Sequence, residues 1–432
     1  LSLHDALPIF GNASNVAIVL GDKQFAEVSH AFNPLTVNVT DSFGNLVRGS
    51  AVTFSVAATS ASGIFDGNTT SITLPTNVDG TVSTSGYSLT ANTIAGAWTL
   101  SVVVQGITSP TLITLTNTPA VANQLTLING GDQTATVATP YGKNIVFLAQ
   151  DQYGNAVPGS SITLTAPVPT SASLTFNGLS AITGLTGADG RYTVSAPTAS
   201  NIAGTFNVSV TGAHNLTFTM TNTAGTVSQF VLQTPTTRSA KVATAYSQPF
   251  AVFVADKFGN PRAGISVGFF APSGDTSSGS FTAGSSFYSA TTDTAGIATS
   301  SVFTANIIAG PFSVLVNTSS ISTVLTFTCE NEPGAAAHIA VNAGNSQSVR
   351  PSATMSSLSV IITDQYTNPI PGASVTFTAP TTGPRLTFAG TNSVSRNTDS
   401  DGIAETNAPV AGTIAGSFNI TAAIGALRTQ FS

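Results

Sequence analysis

Four Asp–Asn turns carry the residues of this chain that are best suited to chemistry. Each follows the pattern D-x-[F/Y]-x-N, and the four copies are DSFGN from Asp41, DQYGN from Asp151, DKFGN from Asp256 and DQYTN from Asp364. Carboxylate and amide oxygens are ligands for Ca²⁺, which takes roughly six to eight of them. Each turn offers one Asp and one Asn, so the favoured interpretation is a structural turn and the alternative is a calcium site. Asp399 and Asp401 are the densest acidic pair, and two carboxylates do not complete a site either.

The histidines show no catalytic pattern. His30, His214 and His338 occupy unrelated positions, and none has a recurring acidic or hydroxyl partner, as a Ser-His-Asp triad would need. We expect all three to be polar surface residues. The sequence contains no C-x-x-C, H-E-x-x-H or phosphate-loop pattern. We therefore predict that the chain is not an enzyme, and we assign no catalytic, cofactor-binding or metal residue.

Two single residues have apolar counterparts elsewhere in the chain, which argues for burial. Cys329, the only cysteine, falls in the register of Leu115 and Met220, so we expect a buried and inert thiol. Trp98 could form a platform for sugars, but its counterparts are Phe206, Phe312 and Phe418. We expect Trp98 to pack in a core. A single cysteine fits a reducing compartment or an exported bacterial protein, and it does not fit a domain stapled by disulfides.

Composition limits the class of protein. The 432 residues include 12 Lys+Arg and 18 Asp+Glu, which gives a net charge of −6 and only 7% charged residues. No basic patch is present, so nucleic-acid binding is not predicted, and no apolar run is long enough for a membrane helix. The hydrophobic content of 41% suffices for folded cores, and the frequent Thr, Val, Ile and Phe favour strands.

A fourfold internal repeat positions all of these residues. The aspartates of the four turns lie 110, 105 and 108 residues apart, and Ile-Ala-Gly recurs at 94–96, 202–204, 308–310 and 414–416. An aromatic residue follows each of these glycines by two positions. A period this long is a whole domain rather than a solenoid unit. The predicted domains are 10–118, 119–224, 225–333 and 334–432.

Each repeat reads as a series of short strands separated by turn residues. In the second repeat we predict seven strands: 124–128, 144–149, 161–165, 174–176, 191–195, 205–210 and 216–220. Such spacing is typical of an immunoglobulin-like β-sandwich. The predicted fold is all-β, with four tandem immunoglobulin-like β-sandwich domains. Short links at 118–123, 223–228 and 332–337 restrict bending and favour a semi-rigid rod.

The Asp–Asn turn is expected to join two strands of each sandwich. Gly and Asn tolerate the positive φ of a tight reversal, and the aromatic residue of the turn (Phe43, Tyr153, Phe258 or Tyr366) is expected to pack over the end of the sandwich. In the fourth repeat Thr367 replaces Gly. Because a β-branched residue resists positive φ, we expect Asn368 to take the left-handed conformation and Thr367 to keep a negative φ.

Both ends of the chain depart from the repeat. Leu1 to Ile9 (LSLHDALPI) matches no repeat and matches the translation of a widely used sequencing adapter, so we expect residues 1–9 to be an artefact. Repeats one to three close with LTN, MTN and CEN, whereas the fourth stops at Gln430, Phe431 and Ser432. We expect the fourth repeat to be truncated and both ends to be fragment ends.

The repeated motifs resemble those of a known family. The order D-x-Y-G-N-P-V-P-G-x-x-V-T-F, T-D-x-x-G, T-A-x-x-x-A-G-x-[F/W] and a closing T-N is similar to the bacterial immunoglobulin-like repeats of invasin and intimin type. The similarity recurs in all four repeats and covers about 420 of the 432 residues. It implies β-sandwiches strung into rods on bacterial surface proteins, many of them adhesins. In that family receptor binding usually belongs to a distal module, so no binding residue is carried over.

The resemblance leads to a functional expectation. We expect a structural spacer, the stalk of a bacterial cell-surface adhesin, with an extracellular location and attachment to the outer membrane or cell wall. Its partners would be neighbouring repeats and, through modules outside this sequence, a host or neighbouring-cell receptor or glycan. The alternative is a set of accessory modules in a secreted polysaccharide-degrading enzyme. Binding by the repeats themselves is weaker, since one Trp and seven Tyr offer few of the usual anchors.

Overall fold

The computed structural model describes residues 11–57 and 60–432, and its regular structure is all-β, as predicted. Within these described ranges a single 3-10 turn, Thr282–Gly284, is the exception, and no helix has the length and apolar character needed to cross a membrane. The chain divides into two compact units, Leu1–Thr223 and Ala224–Ser432, each holding two repeats. The segment expected to be an artefact, residues 1–9, lies outside the described residues.

The first repeat contains ten strands in three sheets. They are β1 (Asn15–Leu20), β2 (Gln24–Glu27), β3 (Thr36–Thr40), β4 (Ala51–Val56), β5 (Gly63–Phe65), β6 (Ser71–Pro75), β7 (Thr81–Ser83), β8 (Leu89–Ala91), β9 (Gly96–Val104) and β10 (Thr111–Thr118). The sheet orders are β1-β3-β7, β2-β10-β9-β4-β6 and β5-β8. The first extended segment is divided between the two larger sheets: β1 pairs antiparallel with β3, and β2 pairs parallel with β10.

The second repeat has the same plan. Its strands are β11 (Gln124–Asn129), β12 (Gln133–Thr136), β13 (Ile145–Gln150), β14 (Ser161–Thr165), β15 (Leu174–Thr175), β16 (Ala181–Leu185), β17 (Arg191–Val194), β18 (Thr198–Ala199), β19 (Gly204–Thr211) and β20 (Leu216–Thr223). The seven predicted strands are all present. The sequence interpretation missed β12, β16 and β18; β12 and β18 are short and contain no large apolar residue, whereas β16 does contain Ile182 and Leu185.

The third repeat repeats this plan within the second unit. Its strands are β21 (Gln229–Leu232), β22 (Thr237–Lys241), β23 (Ala251–Ala255), β24 (Ser266–Phe270), β25 (Gly279–Ser280), β26 (Phe287–Thr291), β27 (Ile297–Thr299), β28 (Thr304–Ala305), β29 (Gly310–Thr318) and β30 (Ile321–Glu332). The five-stranded sheet again has the order β22-β30-β29-β24-β26.

The fourth repeat has a smaller second sheet. Its strands are β31 (His338–Ala343), β32 (Ser359–Thr363), β33 (Ser374–Thr378), β34 (Leu386–Thr387), β35 (Ser393–Asn397), β36 (Ile403–Glu405), β37 (Val410–Ala411), β38 (Ile420–Ile424) and β39 (Leu427–Phe431). That sheet has four strands in the order β35-β33-β38-β39. The stretch equivalent to β12 and β22 is not a strand here.

Each repeat buries its own cluster of apolar side chains. Because side chains alternate along a strand, the residues of β4 are alternately half-buried and buried, with Val52 and Phe54 fully enclosed. They meet Val37 and Val39 from β3 of the facing sheet, so each repeat is a two-sheet sandwich. Four such clusters occur, one per repeat. The immunoglobulin-like sandwich is therefore observed, while the division into exactly four domains stays a prediction.

The asparagine of the closing T-N motif is buried and ties the last strand to the loops. Asn117, Asn222 and Asn331 are almost completely enclosed. In the first repeat Asn117 Nδ2 donates to the carbonyl oxygens of Ser62 and Ile94, each at 2.9 Å. Asn222 and Asn331 make the equivalent bonds. A buried polar group needs such partners, so the motif recurs for a structural reason.

The side-chain oxygen of this asparagine receives a hydrogen bond from different residues in different repeats. In the first repeat the donor is the Trp98 indole N–H, at 2.8 Å from Asn117 Oδ1. In the second and third repeats the donors are the hydroxyl groups of Tyr141 and Tyr246. Trp98 is thus a core residue, as predicted. Its N–H replaces the hydroxyl donor that the first repeat lacks, because Phe32 stands at the position of those two tyrosines.

The first testable prediction concerns this buried asparagine. Asn222→Ala leaves the Ser173 and Ile202 carbonyls and the Tyr141 hydroxyl without their partner, so we expect the second repeat to lose at least about 2 kcal/mol of stability. Hydrogen exchange of the β19 and β20 amides measures this local free energy of unfolding. As a control, Thr217→Ala changes an exposed residue of the same strand and should stay within about 0.5 kcal/mol. Equal effects of the two substitutions would contradict the prediction.

Candidate functional site: the Asp–Asn turns at the repeat junctions

Each Asp–Asn turn is built around one buried carboxylate. Asp151 Oδ1 accepts hydrogen bonds from the backbone N–H groups of Tyr153 and Asn155, both at 2.9 Å. Its Oδ2 accepts from Asn155 Nδ2 at 2.9 Å and from the Ala120 N–H at 3.0 Å. Ala120 belongs to the segment that enters the repeat, so the carboxylate fastens the turn to this linker.

The same four contacts recur in every repeat. The linker residue that donates to the Asp Oδ2 is Gly11 for Asp41, Gly225 for Asp256 and Gly334 for Asp364. The other three contacts are present in each turn as well. The Asp and Asn side chains therefore hold the turn together by hydrogen bonds, which explains why these two residues recur four positions apart.

These contacts determine the charge state of the carboxylates. Burial by itself raises the pKa of Asp151, Asp256 and Asp364, because it disfavours the charged form. The hydrogen bonds from the Asn side chain and from three backbone N–H groups outweigh burial, so the net pKa is lowered from its ordinary value. The turn thus holds an ionised carboxylate that no cationic side chain neutralises.

In the first unit the asparagine of the turn reaches across to the preceding repeat. Asn155 Nδ2 donates to the carbonyl oxygen of Thr93 at 2.9 Å, and Asn155 Oδ1 accepts from the Ala95 N–H at 2.9 Å. The side-chain amide therefore bonds a backbone C=O and an N–H two residues apart, as a neighbouring strand would. Nearby, the hydroxyls of Ser29 and Tyr153 lie 3.2 Å apart.

The second unit contains the same junction between the third and fourth repeats. Asn368 Nδ2 donates to the Ile307 carbonyl oxygen at 2.8 Å, and Asn368 Oδ1 accepts from the Ala309 N–H at 2.8 Å. Asn368 is buried, so both bonds are shielded from water. Each unit thus contains the same pair of hydrogen bonds, from the side-chain amide of Asn155 or Asn368 to the backbone of the preceding repeat at its Ile-Ala-Gly motif. We call this pair of bonds the clip.

The glycine of the Ile-Ala-Gly motif explains how the accepting segment is presented. Gly96 has φ +147°, and Gly204, Gly310 and Gly416 have φ between +135° and +146°, a region open to glycine and costly for other residues. In the first three repeats this glycine is the first residue of the long strand, and the N–H and C=O groups bonded by Asn155 lie one and three residues before Gly96. A Cβ at Gly96 would also lie 3.2 Å from the Ala61 side chain.

The first repeat shows the turn without a preceding partner among the described residues. Asn45 bonds only Asp41 there, and Asn45 is exposed. Phe43 is 87% exposed. The expectation that the aromatic residue packs over the end of its own sandwich is therefore wrong for Phe43. Sequence reasoning missed the role of the asparagine across the junction, although both motifs recur together in every repeat.

The prediction for the altered turn of the fourth repeat is also wrong. Thr367 has φ +70°, and Asn368 is not among the residues with positive φ. The Thr367 N–H donates to the Asp364 carbonyl oxygen at 3.1 Å, as the Gly154 N–H does to Asp151. Asn368 must hold its position to bond Asp364 and the preceding repeat. The hydrogen bonds therefore outweigh the steric cost of a β-branched residue with positive φ.

The remaining sequence candidates do not come together in one site. His30, His214 and His338 are exposed, as predicted. Cys329 is fully buried in β30, and burial raises the pKa of its thiol to about 11 despite the nearby Arg238, so it is a poor nucleophile. Asp399 Oδ1 accepts from the N–H groups of Asp401 and Ile403, which makes it a turn residue.

A calcium site receives no support from these side chains. Among residues 11–57 and 60–432, no three His, Cys, Asp or Glu residues form a group able to hold a metal ion. Both oxygens of each turn Asp are already engaged by N–H donors. An N–H donor points its proton at the oxygen that a cation would need, so the turns do not fit a cation as they stand.

Comparison with known proteins gives likenesses at the level of the fold. No protein-family model and no curated protein matches the chain. Solved structures similar to it include bacterial adhesins of invasin and intimin type. FdeC, an Escherichia coli adhesin, is 16% identical, with a TM-score of 0.43 over 74% of this chain and 99% of that one.

Two further structures show a similar degree of likeness. Invasin, a bacterial integrin-binding protein, is 16% identical, with a TM-score of 0.39 over 96% of this chain and 78% of that one. InvD of Yersinia pseudotuberculosis is 17% identical, with a TM-score of 0.40 over 93% of this chain and 98% of that one. With TM-scores this low, the likeness carries no functional argument for this chain.

The second prediction tests the cost of the threonine in the fourth turn. Thr367→Gly removes a β-branched side chain from a positive φ, and such strain costs about 1–3 kcal/mol. Allowing for the greater flexibility of glycine in the unfolded chain, we expect the fourth repeat to gain about 1 kcal/mol, measured by hydrogen exchange of the β33 amides. Gln365→Gly, at a negative φ in the same turn, should destabilise. Thr367→Gly fails the prediction if it destabilises the repeat equally.

The third prediction concerns acid stability. Because the folded pKa of Asp256 is depressed, its contribution is complete above the ordinary Asp pKa of about 3.9 and is lost as the pH falls through the folded value. We expect the third repeat to lose stability below about pH 4, with Asp256→Asn flattening this loss and costing about 1–3 kcal/mol at neutral pH. Asp275→Asn, an exposed carboxylate of the same repeat, should follow the unmodified chain. Parallel acid profiles for both variants would refute this.

Proposed function

We propose that this chain is a structural spacer from a bacterial cell-surface adhesin, in which the Asp–Asn turn at Asn155 and the one at Asn368 each fasten their repeat to the preceding one. The spacer would extend a terminal binding module from the cell. The observation that carries the proposal is the recurrence of one side-chain junction, Asn155 on Thr93 and Ala95, and Asn368 on Ile307 and Ala309.

The junction suits a mechanical role because it restrains rotation as well as separation. A single hydrogen bond permits pivoting, whereas two bonds from one planar amide to a C=O and an N–H fix an orientation. The linker adds a further restraint, since Ala120 is bonded to the same aspartate that positions Asn155. Each such bond contributes about 0.5–1.5 kcal/mol, so the clip biases the orientation of two folded domains without being needed to fold them.

The chemistry of the surface supports the same role. Charged residues are few, at 7% of the sequence. A spacer does not need to attract a ligand by charge. The proposed partners are therefore neighbouring repeats in the chain and, through modules outside this sequence, a host or neighbouring-cell receptor or glycan. The proposed location is the exterior of a bacterial cell.

The adhesin assignment rests on the resemblance of the repeat motifs and is tested by genomic sequence. Reading the DNA on both sides of this coding stretch supports the proposal if it encodes an outer-membrane anchor, a wall-anchor signal or a distal receptor-binding domain. A catalytic domain for polysaccharide degradation in the same reading frame would contradict it and would favour accessory modules of an enzyme.

The fourth prediction tests the clip. We expect Asn155→Ala to broaden the distribution of distances between spin labels at Ser71→Cys and Ala181→Cys, two exposed positions in the first and second repeats. Double electron–electron resonance spectroscopy on the full chain measures this distribution. Cys329 is buried and should not react with the spin label. Because both amide bonds to the first repeat are lost, the second repeat should sample more orientations.

The matched control for this experiment is Asn45→Ala. Asn45 occupies the same turn position in the first repeat and bonds only Asp41 among the described residues. Asn45→Ala should destabilise its own turn and leave the distance distribution unchanged. If Asn155→Ala also leaves the distribution unchanged, the clip does not set the junction and the spacer mechanism fails.

A further inference from the structure

The outward face of the five-stranded sheet in the third repeat contains a cluster of exposed apolar side chains. Phe270 of β24 lies opposite Phe287 of β26 and opposite Leu315 of β29, both in antiparallel pairing. Phe270 is 38% exposed, Phe287 46% and Leu315 44%. The three residues therefore form one line across three neighbouring strands, which we call the apolar row.

The two phenylalanine rings of this row lie close together and lean over a glycine. Their centroids are 4.9 Å apart and their planes are inclined by 40°. A Cβ at Gly268 would lie 2.8 Å from Phe270 Cε2 and 3.2 Å from Phe287 Cε2, so both rings reach over the space that this glycine leaves open. Glycine weakens the interior of a strand and often marks a place of close approach. The rings thus lean along the sheet, and their exposed surfaces form a shallow platform.

The other repeats have small or polar residues at the same places of this sheet. The counterparts of Phe287, Phe270 and Leu315 are Ser71, Ser55 and Ser101 in the first repeat, Ala181, Thr165 and Ser209 in the second, and Ser393, Thr378 and Thr421 in the fourth. The counterpart of Gly268 is a threonine in all three, and its hydroxyl lies within hydrogen-bond distance of a Thr or Ser hydroxyl on the facing strand. Four positions thus differ together in the third repeat, and a spacer role shared by all repeats does not explain them.

Neutral polar side chains border the platform on one side. Gly268 lies opposite Ser289 of β26 and Asn317 of β29, and both of these residues are exposed. The Ser289 hydroxyl lies 3.2 Å from that of Ser266. The strands β24, β26 and β29 contain no charged residue. The patch therefore suits an uncharged ligand that has an apolar face and hydrogen-bonding groups around its rim.

The size of the apolar row limits the kind of ligand. Its exposed surface amounts to roughly 250 Å², whereas each partner of a stable protein complex buries about 800 Å². The platform is thus small for a second copy of the chain or for another folded protein, and it is comparable to the ring faces of one or two sugars. A pyranose with equatorial hydroxyls has the required character, because its ring faces carry C–H groups and its hydroxyls project around the rim.

We propose that this patch of the third repeat is a binding site for neutral glycans built from such pyranoses, of which a β-1,4-linked glucan is the simplest. The apolar face of one sugar stacks on Phe270 and Phe287, and Leu315 extends the platform toward the next sugar. The hydroxyls at the rim bond to Ser289 and Asn317. Counting Trp and Tyr in the sequence overlooks this patch, because its rings are phenylalanines.

The test measures binding of cellohexaose, a neutral β-1,4-linked glucose oligomer, to the full chain by isothermal titration calorimetry. We expect saturable binding with a Kd of about 1 mM or tighter. Phe287→Ser and Phe270→Thr introduce the residues that the fourth repeat has at these places, and each should weaken binding at least about tenfold. The proposal is overturned if the unmodified chain shows no saturable binding or if both variants bind as the unmodified chain does.

Two further variants separate the platform from general surface hydrophobicity. Gly268→Thr keeps both rings but fills the space over which they lean, so it should also weaken binding at least about tenfold. Leu185→Ser removes an exposed apolar residue from the equivalent sheet of the second repeat and should bind as the unmodified chain does. Equal weakening by Leu185→Ser would overturn the proposal. Hydrogen exchange of the β24 amides reports that the third repeat is folded in every variant.

A second probe and a second measurement test the class of ligand. Hexagalacturonate, an acidic oligosaccharide, should bind at least about tenfold more weakly than cellohexaose, because the three strands offer no cation, and equal binding would contradict a site for neutral glycans. Sedimentation velocity tests a second copy of the chain as the occupant. Self-association that Phe287→Ser abolishes would make the platform an interface between copies and would overturn the proposal. A failure here leaves the junction experiment with Asn155 unaffected, because the patch lies on the outer face of one repeat.

Discussion

A buried, ionised aspartate is the group on which the junction within each compact unit depends, Asp151 in the first unit and Asp364 in the second. Its two oxygens accept four hydrogen bonds, from two turn N–H groups, one asparagine amide and one linker N–H. A buried carboxylate is costly unless it is satisfied in this way, so all four groups must be in place together. The linker, the turn and the asparagine are consequently positioned as one body, and the asparagine can then hold the preceding repeat.

The buried polar contacts of the turns and of the closing T-N motif use asparagine amides and backbone groups rather than ion pairs. Only 7% of the residues are charged, and among the described residues the close contacts between basic and acidic side chains, Arg191 with Asp189 and His30 with Glu27, are exposed. The buried connections instead use asparagine, once in the Asp–Asn turn and once at the end of the last strand. Hydrogen bonds between neutral groups are little affected by salt, whereas exposed charge pairs are screened.

Different repeats use different residues to donate a hydrogen bond to the closing asparagine. Asn117 obtains its donor from Trp98, while Asn222 obtains it from Tyr141, and Phe32 stands at the tyrosine position in the first repeat. The requirement is for a donor near the asparagine oxygen, and either side chain meets it. The fourth repeat has Met355 and Phe418 at these two positions, and neither side chain can donate a hydrogen bond. Thr367 shows the same priority, since its φ of +70° is tolerated to keep the hydrogen bonds of the turn.

The sequence by itself determined the all-β class, the period of the repeat, the seven longer strands of the second repeat and the burial of Cys329 and Trp98. It could do so because alternating apolar residues and turn residues are local signals, and because equivalent positions could be compared across four copies. Only the tertiary structure decided that Asn155 and Asn368 serve the preceding repeat, that Phe43 is exposed and that Thr367 takes a positive φ. These outcomes depend on which groups meet across a junction, and a linear pattern does not contain the competition between local steric preference and hydrogen bonds made 60 residues away in the chain, such as that of Asn155 with Ala95.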